Sequence, residues 1–89
     1  FSSVKNAFKH WKDHGREFPE LFNSKQYVEA ARKFLHNSPE GTLVKVRSSN
    51  GDVLKYHPTT NTFGVMDANG VPRTMFKPVD GMEYWLQQE

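Results

Sequence analysis

Residues 42–78 contain three closely spaced turn signals, and these constrain the fold more than any other feature of the chain. Asn50-Gly51 and Asn69-Gly70 are the dipeptides preferred in tight hairpins, because a type I′ turn needs positive φ at both central residues. Between them, residues 58–61 read Pro-Thr-Thr-Asn, in which Pro fixes φ and Asn tolerates the left-handed region. The intervening runs are rich in Val, Phe, Tyr and Thr, which predicts a four-stranded antiparallel meander.

The first hairpin also predicts which side chains share a face of this sheet. A two-residue loop at Asn50-Gly51 pairs Arg47 with Leu54 and Lys45 with Tyr56. Lys45, Arg47 and Tyr56 then lie on one face. The opposite face carries Val44, Val46, Val53, Lys55 and His57.

The second hairpin pairs its strands in the same way. A two-residue loop predicts three pairs: Val65 with Thr74, Phe63 with Phe76, and Met66 with Arg73. Neither face of the sheet is uniformly apolar. One face must cover a core, and the other places cations, hydroxyls and aromatic rings in a small area. By pattern alone, that second face is either an ordinary solvated surface or a binding surface.

An amphipathic helix is predicted at the start of the chain. Val4, Phe8 and Trp11 recur at i, i+4 and i+7, which indicates a buried stripe. Ser2 or Ser3 is the expected cap, and the helix should end near residue 14, where a glycine follows.

A second helix is predicted from Asn23, with Gln26 three residues later as in a capping box, to residues 37–39, which read Asn-Ser-Pro. A short C-terminal helix is predicted over residues 81–88. The fold class is therefore α+β: two N-terminal helices packed on a four-stranded antiparallel β-meander. The 89 residues form a single domain.

Composition narrows the class of protein. The chain has no Cys, which rules out a disulfide framework and thiolate chemistry. No run approaches the roughly 18 apolar residues of a membrane span, and no signal peptide is visible. Because the chain opens on Phe1 rather than Met, we expect it to be part of a longer protein.

The net charge of +2 is unevenly distributed. Residues 42–78 hold five Lys or Arg and two Asp, a net charge of +3. The tail after Pro78 holds only the acids Asp80, Glu83 and Glu89. A basic sheet beside an acidic tail favours a polyanion as the ligand of the sheet.

His10 and His14, at i and i+4 of the first helix, are the residues best suited to chemistry. An imidazole near its ordinary pKa can act as a general acid or base. A metal site would need further ligands, for which His36, His57 and Glu17 could be nominated, but no recognisable ligand spacing selects them. Three interpretations stay open: acid–base catalysis, a metal-dependent nuclease using His10 and His14, and a non-catalytic RNA- or protein-binding module with structural histidines.

Several motifs occur in the order found in a known family. Residues 9–15, KHWKDHG, resemble the Lys-His-x-Lys-Asp-x-Gly helix of the colicin D family of transfer-RNA ribonucleases. Residues 27–35, YVEAARKFL, are similar to the second helix of many bacterial polymorphic-toxin C-termini. Residues 52–56, 60–65 and 70–78 are similar to the ends of contact-dependent growth-inhibition toxins.

This resemblance implies the barnase/EndoU/colicin/RelE fold and an antibacterial toxin that cleaves transfer RNA, in the anticodon region, without a metal or other cofactor. His10 takes the place of the family's catalytic histidine, and Lys9 that of the lysine before it. Thr74 and Phe76 take the places of its Ser-x-Trp pair on the last strand. Ala7 stands where the family has a further lysine, so another cation must supply that charge.

The implied reaction uses the 2′-OH of RNA as an internal nucleophile and leaves a 2′,3′-cyclic phosphate and a 5′-OH. The enzyme then supplies only a base, an acid and charge stabilisation. His10 is the expected base, and His14 an acid or orienting partner. The candidate catalytic residues are His10, Lys9, His14 and Thr74. The candidate RNA-binding residues are Lys45, Arg47, Lys55, Tyr56, Arg73 and Phe76.

The resemblance also implies partners and a place of action. A toxin of this kind is delivered as part of a larger secreted or cell-surface protein and acts in the cytoplasm of target bacteria. The producing cell needs a cognate immunity protein, which we expect to be acidic and to cover the basic face of the sheet.

Overall fold

The computed structural model describes Phe1 and residues 3–88, so the interpretation of Ser2 as a helix cap lies outside the described residues. The predicted α+β fold is confirmed. No helix in the described part of the chain is long and apolar enough to cross a membrane. The elements, in order, are α1 Val4–His14, a short 3-10 helix Gly15–Glu17, α2 Ser24–His36, β1 Leu43–Val46, β2 Val53–His57, β3 Thr62–Met66, β4 Pro72–Phe76 and α3 Met82–Gln87.

Side-chain caps explain where the first two helices begin. The Ser3 hydroxyl accepts a hydrogen bond from the Asn6 backbone N–H at 3.0 Å, and α1 starts at the next residue. The Asn23 side chain accepts from the Gln26 backbone N–H at 2.9 Å. The Gln26 side chain in turn accepts from the Phe22 backbone N–H at 2.7 Å. Both predicted starts are confirmed.

The sheet is an antiparallel meander with the strand order β1-β2-β3-β4, as predicted. Its middle turn occupies residues 58–61, because His57 pairs with Thr62. Asn61 has a φ of 52° and is the non-glycine residue in the left-handed region among those described.

The first hairpin differs from its prediction in register. Lys45 pairs with Leu54, two residues from its predicted partner. Gly51 has a φ of 78° but Asn50 is not in the positive-φ region, so the turn is not type I′. A longer loop forms instead, in which the Gly51 N–H donates to the Arg47 carbonyl at 2.9 Å. A shift of two residues preserves the faces, because side chains alternate with a period of two.

The second hairpin contains a β-bulge. Val65 pairs with Thr74 as predicted, but Met66 lies opposite Pro72. The prediction that Arg73 pairs with Met66 is therefore wrong, and Arg73 is the extra residue of the bulge. A bulge bends the strand and re-aims its side chains.

The turn of this second hairpin has three residues instead of the predicted two, and the bulge accommodates the resulting change in register. The Asp67 carboxylate accepts hydrogen bonds from the backbone N–H groups of Asn69 at 2.9 Å and Val71 at 3.0 Å. Gly70 follows with a φ of 84°, whereas Asn69 does not have positive φ. This is the three-residue loop in which a left-handed glycine ends a turn, so the predicted type I′ turn is wrong here too.

α2 covers one face of the sheet. Tyr27, Ala31 and Met75 are buried in this core. The Tyr27 hydroxyl donates to the Met75 carbonyl at 2.5 Å, and burial raises the pKa of Tyr27 to about 12. A Cβ at Gly64 would lie 3.0 Å from the Leu35 side chain, so glycine lets the helix approach β3 closely.

A second core lies on the opposite face, under α3. Leu54, Phe63 and Val65 are buried there with Trp85 of the C-terminal helix. α1 packs on α2 and on β4, the edge strand. The predicted buried stripe of α1 is only partly formed, because Val4 and Phe8 are largely exposed, whereas Trp11 packs against the core under α2.

Candidate functional site

A cleft of about 590 Å³ opens between α1, α3 and the face of the sheet that α3 partly covers. Two arginines, one histidine and one threonine reach it, together with four phenylalanine or tyrosine rings and two carboxylates, of which that of Asp52 is buried. These residues are His10, Arg47, Arg73, Thr74, Phe1, Phe63, Phe76, Tyr84, Asp52 and Asp67. The cleft therefore combines an acid–base group with cations and with rings.

His10 and Thr74 meet in this cleft. The Nδ1 atom of His10 lies 3.2 Å from the Thr74 hydroxyl oxygen, which joins α1 to β4. Burial lowers the pKa of His10, and the neighbouring His14 lowers it further. A lowered pKa keeps the imidazole neutral near pH 7, which is the form that accepts a proton.

His14 lies one helical turn further along α1. Its ring centroid is 6.2 Å from that of His10. Its ring also stacks on that of Phe76, with 5.3 Å between the two centroids. Its Nδ1 atom is 3.1 Å from the Glu17 carboxylate, which also accepts the Lys77 backbone N–H at 2.6 Å. The carboxylate therefore orients the imidazole and ties the end of α1 to the residue after β4.

The two arginines of the cleft share one buried carboxylate. Asp52, whose side chain is 4% exposed, lies 3.7 Å from a terminal nitrogen of Arg47 and 3.6 Å from one of Arg73. Arg47 also donates to the Gln88 side-chain carbonyl at 3.4 Å. Asp67 also lines the cleft, so two carboxylates offset the charges of the two guanidinium groups, whose N–H groups can still bind a phosphate.

Asp52 is a site residue that the sequence interpretation missed. The signal was present, because Asp52 alternates with Leu54 and so falls on the face that carries Arg47. The position of Arg73 could not be read from alternation, since the bulge re-aims this residue.

Aromatic rings form one wall of the cleft. Phe76 is half-buried and contacts Phe63 at 5.2 Å and Tyr84 at 5.6 Å between ring centroids. Tyr84 comes from α3 and is not among the candidate residues selected from the sequence. Together these rings offer a surface on which a nucleobase can stack.

Lys45 and Lys55 are not brought into the cleft. The Lys45 ammonium donates to the carbonyls of Trp85 at 2.7 Å and Gln88 at 3.0 Å, at the C-terminal end of α3. The Lys55 ammonium donates to the Leu35 carbonyl at 2.6 Å, near the end of α2 on the other face. Both lysines donate to backbone carbonyls at a helix C-terminus.

Tyr56 and Lys9 also lie outside the cleft. Tyr56 is 3% exposed, and its hydroxyl bonds to the Asn61 side-chain oxygen at 2.7 Å. Lys9 is exposed and lines a separate groove on the outer side of α1. Of the candidate residues, the structure brings together His10, Arg47, Arg73, Thr74 and Phe76, with His14 beside them.

The histidines nominated as further metal ligands lie elsewhere. His36 is 2.5 Å from the Gly70 carbonyl, and His57 bonds to the Thr60 hydroxyl at 2.8 Å. Among Phe1 and residues 3–88, no three His, Asp or Glu side chains are arranged to hold a metal ion. The described residues therefore give His10 and His14 no third ligand.

No protein-family model matches this chain, and the comparison with curated proteins also found no match. A functional assignment therefore depends on the chemistry of the cleft and on the motifs that resemble the colicin D family.

Proposed function

We propose that this chain is an antibacterial toxin domain that cleaves transfer RNA, in the anticodon region, by metal-independent transesterification. The observation that carries this proposal is the pairing of His10 with Thr74, 3.2 Å apart, in a cleft that also holds Arg47 and Arg73. A base and two cations are the groups that cleavage by the neighbouring 2′-OH requires.

His10 acts as the general base. When its Nδ1–H donates to the Thr74 hydroxyl oxygen, the Nε2 atom is left without a proton and can accept one from the 2′-OH. Thr74 then fixes the tautomer and the ring orientation, and its own hydroxyl proton can be donated to a phosphate oxygen. The lowered pKa of His10 supports this role, because the imidazole is neutral at the start of the reaction.

The negative charge that develops on the phosphorus-bound oxygens is met by Arg47 and Arg73. Asp52 holds both guanidinium groups in place before RNA binds, so they need not reorganise during the reaction. His14 donates a proton to the departing 5′-oxygen, and Glu17 orients its imidazole. The 2′-oxygen bonds to phosphorus as the 5′-oxygen leaves, which gives a 2′,3′-cyclic phosphate and a 5′-OH.

Phe76 and Tyr84 hold a base next to the scissile bond by stacking. Stacking on an aromatic side chain contributes about 1–3 kcal/mol per base and tolerates any sequence. It also requires a base that is not already stacked in a helix, which an RNA loop supplies and a duplex does not.

The resemblance extends the proposal to delivery and neutralisation. The domain is carried within a larger secreted or cell-surface protein into the cytoplasm of a target bacterium. An acidic immunity protein in the producing cell covers the cleft, where the side chain of Arg73 is 58% exposed.

Incubation of the protein with total transfer RNA in EDTA tests the proposed function. We expect discrete fragments that carry a 2′,3′-cyclic phosphate, identified by mass spectrometry of the 3′ ends. RNA that is bound but not cleaved would instead support the non-catalytic RNA-binding module. Cleavage that requires an added divalent metal would support the metal-dependent nuclease.

A further inference from the structure

The lysines in and beside the sheet differ from those of α1 in what they contact. Lys45, Lys55 and Lys77 each donate to backbone carbonyl oxygens, which leaves little of their charge for a ligand. The lysines of α1 make no hydrogen bond or ion pair within the part of the chain that the structure describes. Lysine charge that is free to meet an anion therefore lies on α1 and at the exposed Lys25 and Lys33 of α2, and the lysines of α1 line a groove that adjoins the cleft through Asn6.

Three lysines of α1 form a ridge along its exposed side. At about 100° per residue, Lys5, Lys9 and Lys12 fall within an arc of about 60°, over about 10 Å of helix. We call these three residues the lysine ridge. Phe8 is 51% exposed beside it, with the Lys12 ammonium 6.0 Å from its ring centroid. Among the described residues that line the same groove, Asp13 is the one acid, so the groove has a net positive charge.

The ridge is continuous with the proposed active site. Asn6 lines both the cleft that holds His10 and the groove along the lysine ridge. The two sites are therefore separated by no more than the width of α1, about 10–12 Å with side chains. An RNA with one nucleotide in the cleft has neighbouring phosphates within reach of the ridge.

We propose that the lysine ridge is a second RNA-binding site, which holds the phosphate backbone of a structured RNA next to the scissile nucleotide. This inference rests on the proposed function. Lysine ammonium groups on flexible stems contact phosphates without reading bases, so the ridge contributes affinity and position rather than sequence preference. Lys9, which the family resemblance places beside the catalytic histidine, belongs to this site.

RNA fits the ridge better than an acidic protein or an anionic membrane does. Because the ridge adjoins the cleft through Asn6, an RNA cleaved in the cleft has phosphates at the ridge, whereas an acidic protein can cover the cleft without contacting the outer side of α1. A membrane-binding helix would present a wider apolar face than Phe8 and Val4 provide.

The binding test uses Lys5→Gln/Lys12→Gln in a His10→Ala background, in which transfer RNA stays intact. Fluorescence anisotropy measures the Kd of transfer RNA across a range of salt concentrations. We expect binding about tenfold weaker at low salt, with a log–log salt slope shallower by about 1.5–2, since two phosphate contacts are lost. The matched control is Lys25→Gln/Lys33→Gln, which removes the same charge from exposed positions of α2 flanking Glu29. Equal effects of the two double variants would overturn the proposal.

The cleavage test uses the protein with its native His10 and two substrates. For Lys5→Gln/Lys12→Gln, kcat/KM for transfer RNA should fall about tenfold, whereas kcat/KM for a trinucleotide should stay within about twofold of the unmodified protein. An equal fall for both substrates would contradict a separate site. The proposal would also be contradicted if Lys5→Gln/Lys12→Gln lost binding to phosphatidylserine vesicles but bound transfer RNA as tightly as before. If the unmodified protein cleaves no RNA, the proposed function fails, while the anisotropy comparison still decides on the ridge.

Discussion

The His10 Nδ1 atom and the Thr74 hydroxyl oxygen are 3.2 Å apart although the two residues are separated by 64 positions in the sequence. This contact places the histidine side of α1 against the edge strand β4. It gives a histidine on a helix a partner on the sheet and a defined direction. A positioned imidazole is what separates a catalytic histidine from one that lies at the boundary of a core.

Replacing Thr74 tests whether the hydroxyl positions His10. Thr74→Val keeps the shape but removes the partner of Nδ1, so we expect kcat for transfer RNA cleavage to fall about 10- to 100-fold. Thr74→Ser should recover most of that loss, because it restores the hydroxyl. Full activity of Thr74→Val would show that the contact has no catalytic role.

The pH dependence of cleavage follows from the lowered pKa of His10, whose first cause is burial. As a base, His10 must be neutral, so on the acidic side of the profile kcat/KM should not decline until the pH falls below about 6.5, the ordinary histidine pKa. The free energy of unfolding should change with pH in the same direction as kcat/KM. The unfolded chain takes up the proton at a higher pH than the folded protein, so this residue makes unfolding easier as the pH falls through about 6.5. Rate profiles and thermal unfolding between pH 5 and pH 8, with His10→Asn as the control, check both.

Asp52 should contribute both to the stability of the fold and to catalysis in the cleft. In Asp52→Asn, the two guanidinium groups lose the buried charge that holds them, and we expect the free energy of unfolding to fall by about 1–3 kcal/mol. Binding of transfer RNA should persist, because a negative charge has been removed, while kcat falls as Arg47 and Arg73 lose their positions. Urea unfolding and single-turnover cleavage measure these effects. Asp80→Asn, at an exposed position, is the matched control and should change neither.

Lys45 should act on stability rather than on RNA. Its ammonium binds two carbonyls at the end of α3 and lies 4.6 Å from the Trp85 ring centroid. Lys45→Met should therefore lower the free energy of unfolding by about 1 kcal/mol. The salt slope of transfer RNA binding should not change. A slope shallower by about one would mean that Lys45 contacts a phosphate after all.

The sequence was sufficient to predict the strands and their faces. Alternation with a period of two placed Arg47 on the cleft side, and it did so despite a register error of two residues. The Asn-Gly dipeptides marked the turns correctly but not their type, because Asp67 caps its own turn and Gly51 closes a longer loop.

The sequence was not sufficient to predict which cations reach the cleft. Lys45 lies on the same face of the sheet as Arg47, yet its ammonium donates to a carbonyl at the C-terminal end of α3, which packs beside it. By simple alternation Arg73 would lie on the opposite face of the sheet from Thr74, yet the bulge turns it toward Asp52. Both outcomes depend on how distant elements pack, which local pattern does not contain.

The central claim is that His10 transfers the proton during RNA cleavage. The most direct test measures cleavage of transfer RNA and thermal unfolding of His10→Ala side by side, with and without EDTA. The control is His36→Ala, which removes an exposed histidine from the end of α2. We predict that His10→Ala stays folded and cleaves about 10²–10⁴-fold more slowly, that His36→Ala stays active, and that EDTA has no effect on the unmodified protein. A folded His10→Ala protein with full activity would contradict the claim.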